Sequence, residues 1–159
     1  MVDHERFIKQ CLDLAVRAGK NGNHSFGAVL VHDGKVVMTA ESTVNDDHDS
    51  TRHAELNLVT RSQRAFPQEF LRESTLYTST APCLTCTSVI WSAGISKIVY
   101  SVSYEAFHKL APDPYIPCDE IYARLGTKLE LTGPVLEEEG LKVYQYWKEL
   151  PGWRMRKPT

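Results

Sequence analysis

Two short stretches of this chain hold residue types able to do metal chemistry: His53-Ala54-Glu55 and Pro82-Cys83-Leu84-Thr85-Cys86. One imidazole and two thiols make three candidate zinc ligands. Catalytic zinc sites keep three protein ligands and leave one position for water. Glu55, two residues after the imidazole, is a candidate proton carrier. Zinc lowers the pKa of water to about 7, and a carboxylate within hydrogen-bond reach can take that proton and return it. The chemistry implied is hydrolysis.

Simpler readings of the same residues exist. A CxxC can be a redox dithiol, a pair of buried thiols or half of a closed structural zinc site. A closed site needs a fourth ligand, and neither Cys11 nor Cys118 sits beside a second paired motif. A redox dithiol has no use for His-x-Glu upstream. A glutamate on a helix is by default solvated, but one at a helix start beside a ligand can face the metal's open position. The zinc-deaminase signature is this donor set with a glutamate that does not ligate, and it favours the catalytic reading.

The elements that must position these residues follow from periodicity. Phe7, Cys11, Leu14 and Ala18 recur at helical spacing, so a helix is predicted over Asp3–Ala18. Phe26–His32 and Lys35–Thr39 read as strands joined by an Asp33-Gly34 hairpin. Ser42–Arg52 reads as a polar loop, with Asp49, Ser50 and Thr51 as candidate caps of a helix starting near His53. Arg61–Arg72, with Pro67, reads as connecting material. Thr75–Ser79 is a predicted strand, Cys83–Ala93 a helix with Pro82 in its first turn, and Ile95–Val102 a strand. This strand–helix–strand unit predicts a parallel pair.

Cys83 and Cys86, at i and i+3, put both sulfurs on one side of a helix start, where free N–H groups favour thiolates. The pattern is less clear over Tyr104–Leu125. A short helix is expected over Asp119–Leu125, an edge strand over Lys128–Leu131, and a last helix over Pro134–Leu150 with Gly140 as a weak spot. The order implies one mixed sheet with helices on both faces.

The chain has 159 residues, within the length of one domain over 1–159, and a net charge of −2. Proteins that grip nucleic acid carry basic patches, and the one basic cluster here is the tail Trp153–Lys157. A small-molecule substrate is therefore expected, and polynucleotide binding is not. No apolar run approaches a membrane span. The charged start, Met1–Arg6, leads into an amphipathic segment and does not read as a signal peptide, so a cytoplasmic location is expected. Phe26 reads either as a pocket wall for a flat base or as an ordinary strand aromatic. His24 and His48 flank the predicted site and read more readily as structural or surface residues.

Together, the N-terminal helix, Phe26-Gly27-Ala28-Val29, His53-Ala54-Glu55, Leu76-Tyr77-Thr78-Ser79 and Pro82-Cys83-Leu84-Thr85-Cys86 resemble the cytidine and deoxycytidylate deaminase superfamily. The likeness is greater to the branch of bacterial guanine deaminase, fungal cytosine deaminase and tRNA adenosine deaminase. The resemblance implies a three-layer α/β/α cytidine-deaminase-like fold with a central mixed five-stranded sheet. It implies Zn2+ on His53, Cys83 and Cys86, proton shuttling by Glu55, and main-chain contacts to the base near Ala54 and Pro82.

The resemblance also implies a homodimer acting on a small base or nucleoside, with guanine or a related aminated purine-like base first. Cytosine or another heterocycle and tRNA adenosine are alternatives within the class, and an inactive zinc-binding scaffold or a redox protein outside it. Two positions depart from the pattern. Ser42, eleven residues before His53, stands where relatives carry a base-binding asparagine, with Asn45 displaced from that position. Ala81 stands where relatives carry glutamate. Guanine deaminases use a second acid, for which Asp113, Asp119 and Glu120 are the candidates, and a closing C-terminal tail.

Overall fold

The computed structural model describes residues 2–150. The first helix, α1 (His4–Lys20), is capped by Asp3, whose carboxylate accepts from the Arg6 N–H at 3.2 Å. Its apolar stripe, including Phe7, Ile8, Cys11 and Leu12, is buried. Strands β1 (Gly27–His32) and β2 (Lys35–Glu41) form the expected hairpin. Asp33 and Gly34 both take positive φ, 48° and 71°, as a type I′ turn requires.

Next come α2 (Ala54–Ala65), α3 (Gln68–Arg72), β3 (Thr75–Thr80), α4 (Leu84–Ser92) and β4 (Lys97–Val102). The chain continues through α5 (Tyr104–Leu110), α6 (Cys118–Arg124), β5 (Glu130–Thr132) and α7 (Glu137–Trp147). The sheet order is β2-β1-β3-β4-β5. β1 runs antiparallel to β2 and β3, whereas β3–β4 and β4–β5 are parallel. The expected mixed five-stranded sheet is therefore present.

Alternation along the strands divides the core. Ala28, Leu30, Leu76 and Ile98 face α2 and α4, while Val29, Val31, Tyr77 and Val99 face α1. A third cluster joins Val102 to Tyr144 and Trp147 of α7. Gly27 lets α1 lie directly on β1, since a Cβ there would come within 2.3 Å of the Cys11 carbonyl oxygen.

Three expectations are corrected, and one region left open in the sequence gains a helix. Arg61–Arg72 is largely helical: α2 runs to Ala65, and α3 follows Pro67, held by buried Leu71 and by Phe70 stacked on Phe66 at 4.4 Å. The Tyr104–Leu125 region contains α5 as well as α6. The last helix starts at Glu137, because Leu136 is in the left-handed conformation, and ends at Trp147. Gly140 is no weak spot, because any Cβ would meet Val102 and Ser101 of β4 within 2.7 Å. Among the described residues, no helix is long and apolar enough to cross a membrane.

Candidate active site

The two motifs converge at the starts of α2 and α4. His53 and Cys83 are the N-cap residues of these helices, both with extended backbone and neither side chain used as a cap. Asp49, Ser50 and Thr51 are thus not the cap, as the sequence reading expected. The caps leave the imidazole and thiol free to meet. His53 Nδ1 lies 3.4 Å from Cys83 Sγ and 3.5 Å from Cys86 Sγ, and the three ligand atoms lie within 4.8 Å of one another.

Around a tetrahedral zinc, with bonds of about 2.0–2.3 Å, such atoms sit about 3.5–3.8 Å apart. The donor set fits zinc in type, number and spacing. The Cys83 thiol is pulled down to about 4, chiefly by the hydrogen bond from the Cys86 thiol and then by His53. The Cys86 thiol is pushed up by donating that bond and by burial. A bound dication would hold both sulfurs as thiolates.

Glu55 follows on the first turn of α2 and is only 5% exposed. Its Oε1 accepts from the Thr78 hydroxyl at 2.7 Å, and its Oε2 lies 3.6 Å from Cys86 Sγ. Burial, then the nearby Cys83 charge, raises its pKa, while Thr78 and His53 oppose the rise. A buried carboxyl with an elevated pKa beside a metal donor set has the properties of a general acid–base group.

These groups open into a cavity of about 590 Å³. Its lining includes His53, Glu55, Cys83, Thr80 and Ala81, an aromatic set of Phe26, Tyr104, Phe107 and Tyr115, and the polar residues His24, Asn45, Ser50 and Asp113. Among the described residues no lysine or arginine lines it. Phe26 is a cavity residue, packed against Phe107 at 5.7 Å and Tyr144 at 5.3 Å. His24 also lines the cavity, its pKa lowered by burial and then by His53.

Ser42 is fully buried, does not line the cavity, and has its hydroxyl 3.5 Å from the Arg52 carbonyl oxygen. Asn45 reaches the cavity instead, with its amide nitrogen donating to the Gly22 carbonyl at 2.8 Å. Ala54 and Pro82 are buried next to the ligands and do not line the cavity. Of the three candidate second acids Asp113 lines it, whereas Asp119 and Glu120 are exposed on α6. The tail beyond residue 150, including Trp153, lies outside the described residues. The sequence reading missed Thr78 as Glu55's partner and Tyr104 and Phe107 as cavity walls, because each comes from an element distant in sequence from the motifs.

Residues 1–102, which contain all four motif residues, match the model of the cytidine and deoxycytidylate deaminase zinc-binding region. The chain belongs to this deaminase family. Its fold and its zinc cofactor are those of the family. The deaminase is 31% identical over 145 residues to a probable cytosine deaminase of Schizosaccharomyces pombe, covering 85% of this chain and 86% of that one. It is 32% identical over 106 residues to the guanine deaminase of Bacillus subtilis, covering 65% and 67%. A solved chain from structural studies of tRNA:A34 deaminases superposes with a TM-score of 0.71 at 26% identity, covering 87% of the deaminase and 98% of that chain.

Proposed function

We propose that the deaminase hydrolyses the exocyclic amine of a small aminated purine-like base or its nucleoside, guanine first, releasing ammonia. The observation that carries this reading is the composition of the cavity. Among the described residues it has a second carboxylate residue, Asp113, aromatic walls and no lysine or arginine. A carboxylate accepts from the adjacent N–H donors on guanine's amidine edge, an edge that adenine lacks. A polynucleotide substrate calls for cations around the cavity. Cytosine is the second reading, supported by the similarity to the yeast protein over most of both chains.

His53, Cys83 and Cys86 would hold the zinc, which when bound supplies an acidified water. Glu55 takes a proton from that water through Oε2, the oxygen on the Cys86 side, while Thr78 holds Oε1. Glu55 would then pass that proton to the ring nitrogen, and afterwards carry the proton of the hydroxyl added to the ring carbon to the departing ammonia. Phe26 and Tyr104 offer flat surfaces to the ring. The sum is C–NH2 and water giving C=O and ammonia.

The reading takes residues 1–159 as one domain in the cytoplasm, where the cysteines stay reduced. It makes the protein a homodimer, supported by the exposed apolar side chains Leu84, Trp91, Ile116 and Leu125 on and near α4 and α6.

Ammonia release measured over guanine, guanosine, cytosine, adenine, pterins and aminotriazines tests the proposal, with Glu55→Gln as control. Guanine or guanosine is expected to lead. A lead for cytosine replaces guanine with the second reading. Activity that survives Glu55→Gln rejects Glu55 as the shuttle, and an inactive wild type that still binds zinc favours the scaffold.

A further inference from the structure

Tyr104 makes the strongest link between the metal donors and a part of the fold with no role in ligation. It is the first residue of α5, following the N-cap Ser103, whose hydroxyl accepts from the Ala106 N–H at 3.2 Å. Its phenol donates to the Pro82 carbonyl oxygen at 2.5 Å and accepts from the Cys118 N–H at 3.0 Å. One hydroxyl thus ties the start of α6 to the peptide that leads into Cys83.

We propose that Tyr104 is a positioning residue for the metal centre, setting the Pro82–Cys83 peptide and through it the direction of the Cys83 thiolate. The proposal rests on the reading of Cys83 as a zinc ligand. Cys83 sits at the N-cap of α4 with no side-chain cap, so the cap itself does not fix this peptide's rotation. On the other side, the Ala81 N–H is tied to the Val102 carbonyl of β4 at 2.9 Å. Thr87 is the other hydroxyl near the Pro82 oxygen, at 3.3 Å, but its single proton is better placed on the Cys83 carbonyl at 2.8 Å. Tyr104 is therefore the main donor to that carbonyl. Burial pushes the phenol's pKa far up, so it remains a donor at working pH.

The ring has a separate task. It lines the cavity and stacks on Tyr115 at 5.1 Å, with 5° between the planes. Tyr104→Phe therefore keeps the wall and removes only the hydroxyl. Tyr122 supplies the matched control, as a buried phenol on α6 donating at 2.6 Å to the Ile95 carbonyl, beyond the C-terminal end of α4 and away from Cys83 at its start. Partners that orient metal ligands change metal affinity by about 10–100-fold when removed.

The experiment is release of zinc from the holoenzyme to the chelator pyridylazoresorcinol, followed by absorbance, alongside Tm. Tyr104→Phe is expected to speed release about tenfold. Tyr122→Phe is expected to lower Tm at least as much while leaving release unchanged. Equal acceleration in both variants, or none in Tyr104→Phe, overturns the proposal. Should Tyr104→Phe fail to fold, Tyr104→Leu carries the same test, since it also removes the hydroxyl that donates to the Pro82 carbonyl. Faster release then supports the proposal and unchanged release overturns it. A wild type that binds no zinc fails at the metal reading itself, before any variant is compared.

Discussion

The floor of the cavity and its outer wall are built on opposite lines. The floor groups His53, Glu55, Cys83 and Cys86 on two helix starts, with Thr78 of β3 beneath them, and Cys86 and Glu55 are buried. The wall comes from the 43–52 loop, α5 and the segment before α6, and Asn45, Pro114 and Tyr115 are exposed there. The floor holds the metal donors and the group whose pKa burial shifts. The wall holds aromatic rings, one amide and one carboxylate. The candidate donors and proton carrier sit on helix starts against the sheet, whereas the wall is carried by loops and a short helix, the kind of segment in which binding residues are common.

The sharpest way to break this division is His53→Ala. Zinc, measured by metal analysis, is expected to fall from about one per chain to near none, with ammonia release at background. Glu55→Gln comes next. Ammonia release is expected to fall about 10²–10⁴-fold while zinc content holds, and loss of zinc as well would merge the proton carrier with the ligand set.

The pH profile sharpens the same point. Glu55 must be ionised to take a proton, and its pKa is raised above the usual 4.5. The acid limb of kcat/KM, from steady-state rates across pH, is therefore expected to fall as pH drops through a midpoint above that value.

On the wall, Asp113→Asn is expected to change the guanine-to-cytosine ratio of kcat/KM about tenfold with zinc unchanged. An unchanged ratio removes Asp113 from substrate choice. Ser42→Ala marks the small end. Its hydroxyl contact is long, at 3.5 Å, and does not reach the cavity, so a loss of about 0.5 kcal/mol in denaturant unfolding and an unaltered substrate ranking are expected.

The floor was legible along the chain because its constraints are local. The Cys83-Leu84-Thr85-Cys86 spacing puts two sulfurs on one helical turn wherever that helix lies, and Asp33-Gly34 turns a hairpin from its own φ angles. The wall was not legible, because little in its own sequence specifies it. α5 is a seven-residue helix without a buried residue. It is held by its Ser103 cap and by Glu137 of α7, which accepts the Ser103 N–H at 2.9 Å. Asn45 reaches the cavity, and Ser42 does not, because the loop is clasped to the end of α1. There Asn23 and Asp46 exchange two hydrogen bonds at 2.8 and 3.0 Å.

Residue types and spacings alone picked out the candidate ligands and the candidate proton carrier and predicted the parallel strand pair around the second motif. Only the tertiary structure decided that His53 meets Cys83 across two helix caps, that Thr78 holds Glu55, that Asp113 rather than Asp119 or Glu120 reaches the cavity, and that Tyr104 braces the peptide before Cys83. The reason is range. Helical spacing, turn chemistry and capping act over a few residues. The Thr78–Glu55, Tyr104–Pro82 and Tyr104–Cys118 contacts join positions 23, 22 and 14 residues apart, and the sheet has to form before they can exist.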